Sequence, residues 1–178
     1  MNTKIFYTSV LTILIAIGIA SCGTNANEES NNNAPVEDAN VAYYNSIRHL
    51  TGLQFQPRVQ RVDSVQIVYY KNPDGDAKRY ARFYTEYNSN DTALINALKK
   101  SIDKHFVRIE KVKDCRNEGK FHFFSAGNPM QTIYFANRGD SCNHLYFIQD
   151  GWFFYMDMDS ATARLLKHYK SKAKTPRS

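Results

Sequence analysis

The dipeptide Asp150-Gly151 constrains this chain more than any other two residues. It separates His144–Gln149 from Trp152–Met158, two runs dense in aromatic and aliphatic side chains. A two-residue hairpin needs positive φ at both turn positions, and Asp-Gly supplies them in a type I′ turn. Such a turn leaves one register. Gln149 faces Trp152, Phe147 faces Phe154 and Leu145 faces Met156 on one side, while Tyr146 and Ile148 oppose Tyr155 and Phe153 on the other. Both faces are therefore apolar, and eleven aromatic residues fall between Phe121 and Tyr155. A sheet with one wet face alternates apolar with polar residues, and this one does not. Two arrangements satisfy the pattern. Helices cover one face and the amino-terminal segment the other, or one face is a partly exposed platform. In the second, Tyr146, Trp152 and Tyr155 form a candidate ligand surface.

The flanking segments supply the rest of an antiparallel fold. Tyr43, Tyr44, Ile47 and Leu50 recur at helical spacing, with Gly52 placed as a stop. Val65–Tyr70 reads as a strand, Asn72-Pro73-Asp74-Gly75 as a turn, and Arg79–Tyr87 as the returning strand. Asn90 or Asp91 caps a helix that buries Leu94, Ile95, Leu98 and Ile102. Phe106–Val112 is predicted as a strand. A four-strand meander follows over Lys120–Ser125, Thr132–Ala136, His144–Gln149 and Trp152–Met158, its first turn at Gly127-Asn128-Pro129. A last helix begins at Asp159 or Ser160 and carries Ala163, Leu165, Leu166 and Tyr169. The order hairpin, helix, meander, helix predicts an α+β domain over residues 41–178, with two to three helices packed on an antiparallel sheet.

Two cysteines, Cys115 and Cys142, fall inside this domain. They read first as one disulfide, whose closed loop would contribute about 3–4 kcal/mol on the chain-entropy model. A metal site with His122 and His144 is the competing reading, but Cys-x6-His and Cys-x-His match no familiar zinc spacing. Nothing marks either thiol as an activated nucleophile. No glycine-rich phosphate loop, His-Glu-x-x-His or nucleophile elbow occurs, and no motif requires a cofactor. Asp74 and Asp76 do not fit a calcium loop. The sequence thus predicts no catalytic residue, no metal and no enzyme.

The first forty residues read differently. Lys4 precedes an apolar stretch, Ile5–Ala20, that ends in Ile19-Ala20-Ser21-Cys22. A short basic start, an apolar run and small residues are the layout of a secretory signal peptide. Sixteen residues that include Tyr7, Thr8, Ser9, Thr12 and Gly18 fall short of a spanning helix, which needs about twenty mostly apolar positions. With cysteine at the cleavage point, the segment resembles the lipobox of bacterial lipoproteins. The resemblance implies that residues 1–21 are removed and that Cys22 carries diacylglycerol and an acylated amino terminus. Gly23, not an acid, follows Cys22, which in enterobacterial-type lipoproteins implies transfer to the outer membrane. The resemblance therefore places the chain in a bacterial cell envelope, held to the membrane through Cys22. Residues 23–40 hold six Asn and no aromatic or basic residue, so residues 22–40 read as the lipidated cysteine with a disordered tether.

Residues 41–178 carry 22 Lys and Arg against 13 Asp and Glu, a surplus of +9. That balance fits an anionic partner, and it fits generic solubility equally well. Nucleic acid is not expected, since no RNA-binding signature is present and the chain is exported. The leading expectation is a non-enzymatic binding domain whose partner is another envelope protein. The alternative is an anionic glycan or lipid headgroup held by a basic, aromatic surface.

Overall fold

A computed structural model describes residues 39–73, 83–110, 115–138 and 142–176, all within one compact unit. The expected signal peptide, Cys22 and the expected tether lie outside the described residues. So do Asp74, Gly75 and the expected strand residues Arg79–Arg82.

Seven strands form one antiparallel sheet in the order β2-β1-β4-β5-β6-β7-β3, accompanied by four α-helices. The fold is α+β. The strands are β1 (Ser64–Tyr70), β2 (Tyr84–Ser89), β3 (Arg108–Ile109), β4 (Gly119–Ser125), β5 (Asn128–Asn137), β6 (Asn143–Gln149) and β7 (Trp152–Asp157). The helices are α1 (Ala39–Ile47), α2 (Gly52–Phe55), α3 (Thr92–Asp103) and α4 (Ser160–Lys170), with a 3-10 turn over Pro57–Arg61. The expected hairpin β1–β2 and meander β4–β7 are joined because β1 pairs with β4. β2 lies at one edge and β3 at the other, so the chain crosses the whole sheet through α3 and returns to its middle at β4.

The β6–β7 register is the one that Asp150-Gly151 demands, with both residues at positive φ (51° and 80°). Register then sorts the core. Ile67, Phe121 and Ile133 pair across β1, β4 and β5, Phe135 pairs with Leu145, and Phe147 pairs with Phe154. All are at most 1% exposed and pack in one cluster with Leu94, Leu98 and Ile102 of α3 and Leu166 of α4.

Local chemistry sets several boundaries away from the expected places. Gly52 does not stop a helix; it opens α2. Thr51 Oγ1 accepts from Gln54 N, and the Gln54 side chain returns to Thr51 N, a capping box that starts a new turn. Glycine is required there because a Cβ would overlap Met156 Sδ and lie 2.6 Å from the Ile102 carbonyl oxygen. The first meander turn is Ala126-Gly127, both at positive φ, so Asn128 and Pro129 belong to β5. Pro129 pairs with Phe124 while Gln131 pairs with Phe123, which leaves Met130 as the extra residue of a bulge. The strand expected over Phe106–Val112 shrinks to Arg108–Ile109, with Phe106 bridged to Thr51; Lys111 and Val112 lie outside the described residues.

Both edges of the sheet are blunted. Glu86 of β2 exchanges two backbone hydrogen bonds with Lys174, at 2.8 and 2.9 Å, and β3 is two residues long.

Candidate functional sites

α4 builds the first site. Asp159 caps it by accepting from Thr162 N at 2.7 Å, and Lys104 Nζ pairs with the same carboxylate at 2.6 Å. These contacts hold the Asp159 carboxyl well below the usual carboxylate range, the Lys104 bond first and the cap second. So anchored, the helix turns Leu166 into the core and leaves Ala163, Leu165 and Tyr169 half-buried. From β1, the Tyr69 hydroxyl donates a 2.7 Å hydrogen bond to the Leu166 carbonyl. Burial pushes that phenol far above its ordinary range, with a smaller contribution from Tyr169.

Beside this contact lies a cleft of about 430 Å³. Its floor is Tyr69, Phe135, Ala163 and Leu166, with the Tyr69 and Phe135 rings edge to face at 5.7 Å. Arg164, Lys167 and Lys170, spaced three apart along α4, line one wall, and Glu118 and Asn137 line the other. Glu118 is 3.8 Å from Arg138. Among the described residues, the three α4 cations make no ion pair. The macrodipole favours cations in the last turn of a helix, which accommodates Lys167 and Lys170 there. That all three line one cleft is a separate property. A cleft of this size, with cations along one wall, suits a small anionic group. Tyr69 and Phe135 are only 2 and 1% exposed, so their rings close the base rather than offer a face to stack on.

The second site is the tip of the β6–β7 hairpin with α1 beside it. Val41, Tyr43, Tyr44, Ile109 and Trp152 line an apolar groove of about 300 Å³. Val41, Tyr43 and Trp152 are 46, 39 and 44% exposed, and Ile148, on the other face of the hairpin, is 45% exposed. Partial burial, and then the Asp150 carboxylate, raise the Tyr43 phenol, so α1 sits next to the turn.

The platform expected of Tyr146, Trp152 and Tyr155 is not assembled. Trp152 projects from the core side of the sheet, at its exposed rim, whereas Tyr146 and Tyr155 pair on the opposite side and are 8 and 2% exposed. They belong to a transverse row: Lys120, Tyr134, Tyr146, Tyr155 and Arg108 are successive register partners across β4, β5, β6, β7 and β3. Tyr134 and Tyr146 stack at 5.0 Å and 15°, and Tyr146 lies 5.1 Å from Tyr155. Arg108 closes the row with a bidentate pair to Asp157 at 2.7 and 2.9 Å. The described amino-terminal elements do not cover this face. Ile47, Val59 and Val62 join the helical core instead, and it is Asn117, between β3 and β4, that bonds the Tyr146 hydroxyl.

Cys115 and Cys142 form a disulfide, which removes both sulfurs from any metal or nucleophile role. His122 bonds Thr132 Oγ1 at 2.8 Å, and His144 is buried against the Tyr155 ring. Among the described residues, no cluster of three or more His, Cys, Asp or Glu side chains could hold a metal, and no helix is long and apolar enough to cross a membrane.

Arg164, Lys167 and the cleft floor were not foreseeable as a site from the sequence. The available signal is cations at i, i+3 and i+6 flanking Leu166, which by itself describes a solvated helix face. The cleft exists because Tyr69 and Phe135 come from β1 and β5, far away in the chain. No family model, curated protein or solved structure matches this chain.

Proposed function

We propose that this chain is a lipid-anchored bacterial envelope protein whose folded part binds an anionic ligand and carries out no chemistry on it. The observation that carries the reading is the α4 cleft, lined by Arg164, Lys167 and Lys170, which make no ion pair among the described residues. Its polar groups suit holding rather than reacting. The cations place charge, Asn137 offers an amide, and the Tyr69 hydroxyl is committed to a backbone carbonyl. An acidic saccharide is the best-suited ligand class, since its carboxylate can meet the α4 cations while its hydroxyls meet Glu118 and Asn137, which also line the cleft. The lipobox-like segment ending at Cys22 supports the anchor.

The test is calorimetric titration of the detergent-solubilised mature chain with a uronic-acid trisaccharide, its neutral counterpart and inositol phosphate. The acidic trisaccharide should bind, and binding should weaken as salt rises. Lys167→Glu should reduce affinity by roughly tenfold, a change of about 1.4 kcal/mol. Preference for inositol phosphate would move the ligand class to a lipid headgroup. No binding of either anion, or affinity unmoved by Lys167→Glu and Arg164→Glu, would overturn the reading.

A further inference from the structure

The hairpin tip is a second surface, independent of the α4 cleft. Trp152, Ile148, Val41 and Tyr43 are all exposed at one end of the fold, in a domain whose other large apolar side chains are mostly buried. Two facts point to what meets them. Val41 and Tyr43 lie in the first turns of α1, where the chain enters the folded body from the tether. Only residues 23–38 separate Cys22 from Ala39, a length that as a random coil would span about 22 Å root-mean-square. Trp and Tyr, moreover, are the side chains that favour a lipid–water boundary, because each has an apolar ring and a polar N–H or O–H.

We infer that this tip is a membrane-docking surface, which seats the folded body on the lipid interface beside its own anchor. The inference rests on the lipid anchor proposed above. A tether of this length holds the tip at an effective concentration in the millimolar range, so a weak contact suffices to keep it occupied. Asp150 occupies the turn itself, and its carboxylate opposes insertion next to anionic lipid. The geometry therefore assigns the contact to a shallow depth, with Trp152, Val41 and Ile148 at the acyl boundary and the turn among the headgroups.

Trp152 is the only tryptophan in the chain, so its fluorescence reads this surface alone. The full lipidated protein would be reconstituted in vesicles of phosphatidylcholine with phosphatidylglycerol, with either plain or brominated acyl chains. Docking predicts a blue-shifted emission and roughly twofold quenching by the brominated lipid. Val41→Asp with Ile148→Asp should remove the quenching while the protein stays on the vesicles through a high-salt wash. Asp150→Asn, which keeps a turn-compatible residue, should deepen it. Protein that stays bound with Trp152 unquenched overturns docking and leaves the anchor standing. Protein that washes off refutes the anchor; quenching at millimolar lipid then still decides docking, and its absence overturns it. A blue shift that depends on protein concentration and ignores bromine would assign the tip to a second copy or another protein and overturn the membrane reading.

Discussion

The Tyr69 hydroxyl donates to the Leu166 carbonyl at 2.7 Å, tying β1 to α4 from inside the core. The bond sets the helix against β1 beside the cleft but directs the hydroxyl away from a ligand. Tyr69→Phe should therefore cost about 1–2 kcal/mol in urea unfolding and leave anion affinity unchanged. A large loss of affinity with stability intact would mean that the hydroxyl faces the ligand.

Two glycines separate close packing from backbone conformation. At Gly119 a Cβ would overlap the Val68 carbonyl oxygen and lie 2.6 Å from Phe135 Cζ, whereas at Gly151 it would meet nothing within 4 Å. Gly119→Ala should destabilise by several kcal/mol, about 3 or more. Gly151→Ala should lose only the left-handed backbone penalty, about 1–2 kcal/mol. Equal midpoints in thermal unfolding would contradict the packing at β4.

Cys115 and Cys142 join the start of the β4 approach to the β5–β6 connection. Replacing both with Ser should lower stability by about 3–4 kcal/mol, and reductant should then have no further effect. Titration of the denatured, unreduced mature protein should find no free thiol.

Two groups give acid sensitivity in separate windows. Burial first, and then the Lys120 charge, depress the His122 imidazolium, so the fold holds His122 neutral. The unfolded chain takes up that proton below about pH 6.5, so this contribution is complete above that pH and falls as the pH drops toward the folded value. Asp159 is depressed in the fold by Lys104 and by its cap. Its contribution is present above about pH 3.9 and is lost as the pH falls below that. In denaturation curves across pH, His122→Gln should flatten only the upper window. Asp159→Ala should flatten the lower one and cost about 1 kcal/mol near neutrality through the lost cap.

Cys22→Ala should abolish lipid attachment, because only a thiol can take up the diacylglycerol. Cells fed a clickable fatty acid should show label on the parent chain and none on the variant, with residues 41–178 folding in both. A variant that keeps its label and stays in the membrane fraction after a high-salt wash would refute the anchor.

What the sequence determined by itself was local. Asp150-Gly151 set a register because a type I′ turn admits one pairing, and Asn90-Asp91 and Asp159-Ser160 marked helix starts, where Asp91 and Asp159 supply the carboxylates that cap the nearby N–H groups. Leu94, Ile95, Leu98 and Ile102 revealed the buried face of α3 because helical periodicity is itself a sequence pattern. The tertiary structure decided whatever depends on residues distant in the chain. It joined the hairpin to the meander through β1 and β4, and it buried Tyr146 and Tyr155 while leaving Trp152 at an exposed rim. An aromatic strand pattern cannot say which face is covered, because coverage comes from segments with no local signature, such as Asn117 beyond β3. The α4 cleft lay beyond the sequence for the same reason. Its cations are neighbours on one helix, but its floor comes from β1 and β5, and only packing brings the two together.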